Sequence, residues 1–222
     1  MMEGEKMTKK ELERRSYNFE IRAENMDDDD EKIITGRPIV YNSRTDLGWF
    51  DEIIESGALD FADLKDVRFL VNHDRMMIPL ARSRRNNGNS TMKLTPDMRG
   101  LNIDFIKLDT ENNSTSRALY SAVERGDITG MSFLFTIDDE EWENLESDHP
   151  TRHIKKIGSV VEISAVTFPA YEATEIYARE CKAALDSARS ALDNARQQNA
   201  HALDSVNELE LLKEKTKILM KG

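Results

Sequence analysis

Apolar positions along this chain change their spacing several times, and each change marks an element. Tyr17, Phe19 and Ile21 alternate with polar residues, the pattern of a half-buried strand. A second strand is predicted over residues 32–36, continuing towards 39–41. Residues 50–54 and 57–59 predict short helical turns around a glycine, and residues 67–73 a strand that ends in His73. Residues 92–94 and 101–105 predict the arms of a hairpin, with Pro96, Asp97 and Gly100 in or near its turn. The period becomes helical between 114 and 125, where Ala118, Leu119, Ala122 and Val123 share a face. Ser114 or Thr115 is placed to cap its start and Gly126 its end. Residues 131–137 and 160–168 are rich in branched and aromatic side chains and predict two more strands, the second stopping at Pro169.

Past residue 177 the pattern shifts again. Ala178, Cys181, Leu185, Ala188, Leu192, Ala195, Asn199, Ala202, Val206 and Leu209 fall alternately three and four apart, a heptad seam held over four heptads. Asn199 takes an a position, where a buried asparagine fixes register or oligomer state. A single solvated helix satisfies the same spacing. The chain therefore divides into a disordered or helical leader (1–16), a β-rich domain (17–177) and a helical, coiled-coil-like tail (178–222). The fold class expected is α+β, mainly β: short strands around one or two helices, as a small α+β domain or closed barrel, then a long C-terminal helix.

Charge narrows the function classes. The 222 residues carry a formal net charge of -11, which repels phosphate backbones and argues against nucleic acid as the main partner. Two acidic runs, 27–31 and 138–141, predict solvated loops. Cys181 is the only cysteine, so no internal disulfide forms. No apolar run approaches the roughly 20 residues that span a bilayer, and residues 1–15 lack the apolar core of a signal peptide. An intracellular protein without a membrane partner is the expectation. The four histidines, His73, His149, His153 and His201, lack the paired spacing of a zinc site, and neither metal nor cofactor is expected.

Three residues stand out for chemistry. His73 closes an apolar strand and opens a polar segment, which suits a titrating imidazole, although an ordinary surface histidine fits too. Ser132 follows Gly130 in an apolar strand, on the same face as Leu134 and opposite Met131 and Phe133. A hydroxyl there needs a partner, and a backbone carbonyl satisfies it as well as an imidazole does. Leu134 replaces the second glycine of the Gly-x-Ser-x-Gly elbow, so this is not that motif. Glu162 is a carboxylate inside an otherwise apolar strand, either at a solvent edge or paired. Together they make a nucleophile, a base and an orienting acid, a set that only geometry identifies.

Six phrases in chain order carry a resemblance: Thr35-Gly36; Asp51-Glu52-Ile53-Ile54 with Gly57-Ala58-Leu59; Val71-Asn72-His73-Asp74; Asp97-Met98-Arg99-Gly100-Leu101; Gly126-Asp127-Ile128-Thr129-Gly130-Met131-Ser132-Phe133; and the run from Glu162 to Tyr171. Over residues 15–180 the chain resembles the caudovirus prohead serine proteases. The resemblance implies a herpesvirus-protease-like small β-barrel ringed by helices. It implies a serine endopeptidase inside the immature capsid in the host cytoplasm. Its substrates would be the scaffold protein or a segment of the major capsid protein, and usually itself. His73 and Ser132 match the family's catalytic pair. Glu162 matches an acidic position taken as the third member, with His153 and Asp74 as rivals. The relatives suggest an oxyanion hole in the loop around Ser159. Leu134 departs from the small residue that many relatives carry. The tail is expected to act in delivery or assembly, and a homo-oligomer through it is open. Two other classes stay in view: an inactive capsid-assembly scaffold that keeps the protease fold, and a coiled-coil interaction protein with an unrelated β domain.

Overall fold

The computed structural model describes residues 12–17, 21–26, 31–84, 89–168 and 182–219. Strands dominate. They are β1 (Glu13–Tyr17), β2 (Ile21–Met26), β3 (Glu31–Val40), β4 (Arg44–Asp46), β5 (Asp51–Ile54), β6 (Arg68–Val71), β7 (Ala81–Arg82), β8 (Met92–Asp97), β9 (Gly100–Lys107), β10 (Gly130–Glu143) and β11 (Thr151–Val166). The helices are α1 (Ser114–Glu124) and α2 (Lys182–Leu219).

The strands form two sheets. One has the order β1-β10-β11-β5-β4, with β6 also on β11 and β7 on β6; the other has the order β2-β3-β9-β8. Among the described residues neither sheet closes on itself, so the expected barrel is not confirmed and two open sheets stand in its place. A single apolar cluster joins them: Ile34, Ile39, Leu101, Ile103 and Ile106 from the small sheet meet Met131, Phe133, Phe135, Ile154, Ile163 and Ala165 from the large one. Helix α1 adds Leu119, Tyr120 and Val123. Tyr120 also donates to Asn25 Oδ1 at 2.9 Å, which ties the helix to β2.

Several local expectations change. Residues 13–16, read as the end of a charged leader, belong to β1 and pair with β10. Residues 51–54 form strand β5, not a helical turn, because Glu52 and Ile54 find places beside Arg152 and Ile154 in the parallel β11 pairing. The cap of α1 is Asn113, one residue earlier than predicted; its Oδ1 accepts from the amides of Thr115 and Ser116 at 2.9 and 3.2 Å. The glycine end is as expected, with Gly126 at φ +77. The acidic run 138–141 is part of β10 and not a loop, held by pairing with β11. The other acidic run, Phe19, Pro169 and Cys181 lie wholly or mostly outside the described residues.

The heptad seam is split. Ala188 and Leu192 are buried against Leu47, Phe50 and Trp142, with Trp49, Leu145, Leu185 and Ala195 around them. Arg189 lies over the Trp49 ring, and Arg196 Nε donates to the Leu145 carbonyl at 2.7 Å. The first half of the seam thus packs on an aromatic pad of the same domain rather than on another helix. Beyond it, Leu203, Val206 and Leu209 are exposed. Among the described residues no helix is long and apolar enough to cross a membrane.

Candidate active site

The period-2 alternation of β10 decides which side chains can meet. Met131, Phe133 and Phe135 face the core, so Ser132 and Leu134 take the other face. Ser132 stands opposite Ser164 of β11, and Leu134 opposite Glu162, so Glu162 and Ser164 lie on the same face beside Ser132. On the far side of β11, β6 runs parallel to it, with Leu70 opposite Ser164 and Val71 opposite Ala165. The chain leaving β6 therefore emerges level with Ala165, next to Ser164.

There it turns sharply. Asn72 and His73 both adopt left-handed backbone, at φ 49 and 58, a conformation uncommon for non-glycine residues that recurs where surrounding structure enforces it. The enforcement is visible. The Asn72 amide donates to the Ala165 carbonyl at 2.9 Å. The Asn72 side chain grips Thr167, accepting its amide at 2.9 Å and donating to its hydroxyl at 3.1 Å. The His73 amide donates to Ser164 Oγ at 3.1 Å.

This turn lays the imidazole back across the sheet. His73 Nδ1 is 2.9 Å from Glu162 Oε1, and His73 Nε2 is 2.5 Å from Ser132 Oγ. An ionised carboxylate only accepts, so in the neutral ring Nδ1 carries the hydrogen and Nε2 presents its lone pair to Ser132. Burial pushes Glu162 up, but the hydrogen bond and charge of His73, the Ser164 hydroxyl and the nearby Arg75 outweigh it and hold the carboxyl below its usual range. Ser164 Oγ donates to the same Oε1 at 2.5 Å, which locks the carboxylate.

The remaining sequence candidates lie elsewhere. His153 sits further back along β11, bonded to Glu55 at 3.0 Å and Glu143 at 3.3 Å. Asp74 accepts the Met76 amide at 2.9 Å within its own turn. His149 pairs with Asp51 at 3.2 Å, and His201 lies on the exposed half of α2. Asp46, Asp51 and His149 bring their ligand atoms within 4.8 Å of one another. Asp51 is already paired with Arg44 at 2.8 Å, so this surface group reads as an ion-pair cluster. Ser159 lies inside β11, its hydroxyl 3.0 Å from Thr136 Oγ1, so the expected oxyanion loop is a strand at that position.

The sequence reading missed Ser164 and a buried ionic cluster beside the site. Ser164 was detectable as the residue two after Glu162 on the same face. The cluster involves Arg15 of β1, which reaches Glu52 of β5 through two hydrogen bonds of 2.5 Å and Glu13 at 2.6 Å. Arg152 of β11 bonds both oxygens of Glu13 at 2.8 Å, lies 3.4 Å from Glu52 and binds Glu140. Burial pushes Glu13 up, but the charges of Arg15 and Arg152 hold it below its ordinary value. No sequence periodicity signals this cluster, because its members come from four strands.

Strand β1 also runs beside the serine. Ser16 stands opposite Ser132, and Ser132 Oγ donates to the Arg15 carbonyl at 2.7 Å. Ser132 has no exposed surface.

Hydroxyl, imidazole and carboxylate in line define the geometry of a serine-hydrolase triad on a mainly β domain. The chain belongs to the caudovirus prohead serine protease family, whose model matches residues 5–187. No curated protein and no solved structure matches it.

Proposed function

We propose that this protein is the serine endopeptidase of prohead maturation, with Ser132 as nucleophile, His73 as general base and Glu162 as the orienting acid. The observation that carries the reading is the unbroken chain of contacts Ser132 Oγ–His73 Nε2 at 2.5 Å and His73 Nδ1–Glu162 Oε1 at 2.9 Å. His73 takes the Ser132 proton as Oγ bonds to a peptide carbonyl carbon, then gives it to the leaving amine as the C–N bond breaks. The same imidazole then takes a proton from water, whose oxygen adds to the ester carbon, and gives that proton to Ser132 Oγ as the ester C–O bond breaks. Glu162 keeps the hydrogen on Nδ1 and stabilises the imidazolium in both steps. Ser164 and the His73 amide position these two groups without touching the reacting atoms. The substrates in this reading are scaffold or major-capsid-protein segments and the protease itself, inside the immature capsid in the host cytoplasm. Family membership supports that setting.

Co-expression with the capsid and scaffold proteins, read by intact mass, tests it. Shortened products with wild type and none with Ser132→Ala are expected. Identical full-length masses from both, in samples that contain assembled proheads, would overturn it in favour of an assembly protein.

A further inference from the structure

Two facts about Ser132 conflict with a ready nucleophile. It is fully buried, and its single hydroxyl hydrogen has two acceptors within reach, the Arg15 carbonyl at 2.7 Å and His73 Nε2 at 2.5 Å. One hydroxyl hydrogen cannot serve both acceptors. Beside the serine lies an edge strand: among the described residues β1 is outermost on the sheet, antiparallel to β10, and its extended backbone runs alongside Ser132. An extended peptide added to an exposed strand edge is a recurring mode of recognition, in which the backbone supplies affinity and side-chain pockets supply specificity. Strand β1 has both features. The residue whose carbonyl touches Ser132 is Arg15, and its guanidinium is seated on the buried carboxylate of Glu52 by two 2.5 Å bonds. Without β1, Glu52 would keep the 3.4 Å contact with Arg152, a guanidinium it shares with Glu140.

We propose that β1 stands in the place of substrate: the outer edge of β10 takes an extended peptide with an arginine or lysine side chain seated on Glu52, and in this structure the chain's own N-terminal strand fills that groove. The inference rests on Ser132 being the nucleophile. It assigns the bond cut to the one following the basic residue, and it makes release of β1 a precondition of turnover.

The test uses the full chain and a fluorophosphonate probe that reacts with activated serines. Arg15→Ala should label at least tenfold faster than wild type, Arg15→Lys as slowly as wild type, and Ser132→Ala not at all. A peptide of residues 12–17, Leu-Glu-Arg-Arg-Ser-Tyr, should slow labelling of Arg15→Ala, whereas Leu-Glu-Arg-Ala-Ser-Tyr should not. In the Arg15→Ala background, quenched peptides with Arg or Lys before the cut should be cleaved at least tenfold faster than those with Ala. Glu52→Gln should abolish that preference. Glu52→Gln alone keeps the side-chain volume and should still label faster than wild type, so it carries the test if Arg15→Ala does not fold. Equal labelling of wild type, Arg15→Ala and Glu52→Gln, with Ser132→Ala blank, overturns the inference and leaves the protease reading intact. No labelling of any variant overturns the protease reading and this inference with it.

Discussion

Two terminal segments close on the same domain, and they do so by different physics. Strand β1 is held by backbone pairing to β10 and by a cluster of five charged groups, among which the Arg15 and Glu52 side chains are at most 1% exposed. Helix α2 is held by apolar packing on Leu47, Phe50 and Trp142. Burial of charge is tolerated only while every partner stays in place, since removing one leaves the others unpaired and desolvated. An apolar contact loses area in proportion to the atoms removed. The first kind of joint responds to pH and to single charge changes; the second, to which Arg189 and Arg196 add a ring contact and a backbone hydrogen bond, depends mainly on buried apolar area. The release of β1 proposed above suits the first kind of joint.

The largest expected effect separates chemistry from both joints. Glu162→Gln keeps the volume but allows the wrong imidazole tautomer. The analogous change in a serine protease triad costs about 10⁴ in kcat, so a fall of roughly 10³–10⁴ in processing rate is expected, with the unfolding midpoint little moved. An unchanged rate would remove Glu162 from the reaction. Next comes Arg152→Ala, which strands Glu13, Glu52 and Glu140. It should destabilise the domain by about 3–5 kcal/mol in urea unfolding, and a loss below about 1 kcal/mol would show that the cluster is solvated. Leu192→Ala on the aromatic pad should cost about 2–5 kcal/mol and raise tryptophan exposure at Trp49 and Trp142, leaving hydrogen-exchange protection of β1 intact.

Acid gives the smallest and most selective effect. Glu13 and Glu162 have carboxyls held below the ordinary 4.5. Their contribution to stability is therefore complete above that value and is lost as pH falls through their lowered folded values. Below pH 4.5, amide protection in β1 should fall first, while the tryptophan fluorescence of the α2 pad stays native. Simultaneous loss of both would show that the two joints are one cooperative unit.

The site was more legible than the fold around it. Ser132, His73 and Glu162 each broke a local pattern: a hydroxyl and a carboxylate in apolar strands, and an imidazole at a strand end. Their convergence depends on β6 lying parallel to β11, a pairing between segments about 95 residues apart that no local spacing encodes. Residues 51–54 misled for the same reason. Four residues have no reliable local preference, and the parallel register with β11 made them a strand. Leader and tail misled in opposite ways. The charges of Glu13 and Arg15 suggested exposure, yet partners from β5 and β11 bury them. The heptads of the tail suggested a partner helix, yet an aromatic pad takes their first half.

By itself the sequence determined the central strands around Ser132 and Glu162, the helix over 114–124 and the long C-terminal helix, and which face of β10 carries Ser132. Those features follow from period and side-chain chemistry, which act over a few residues. Tertiary structure alone decided that the two sheets stay open, that His73 turns back over Ser164 to reach Ser132, and that β1 runs beside Ser132. Each of these depends on pairing between distant segments, where the deciding free energy belongs to the contact and to neither partner alone.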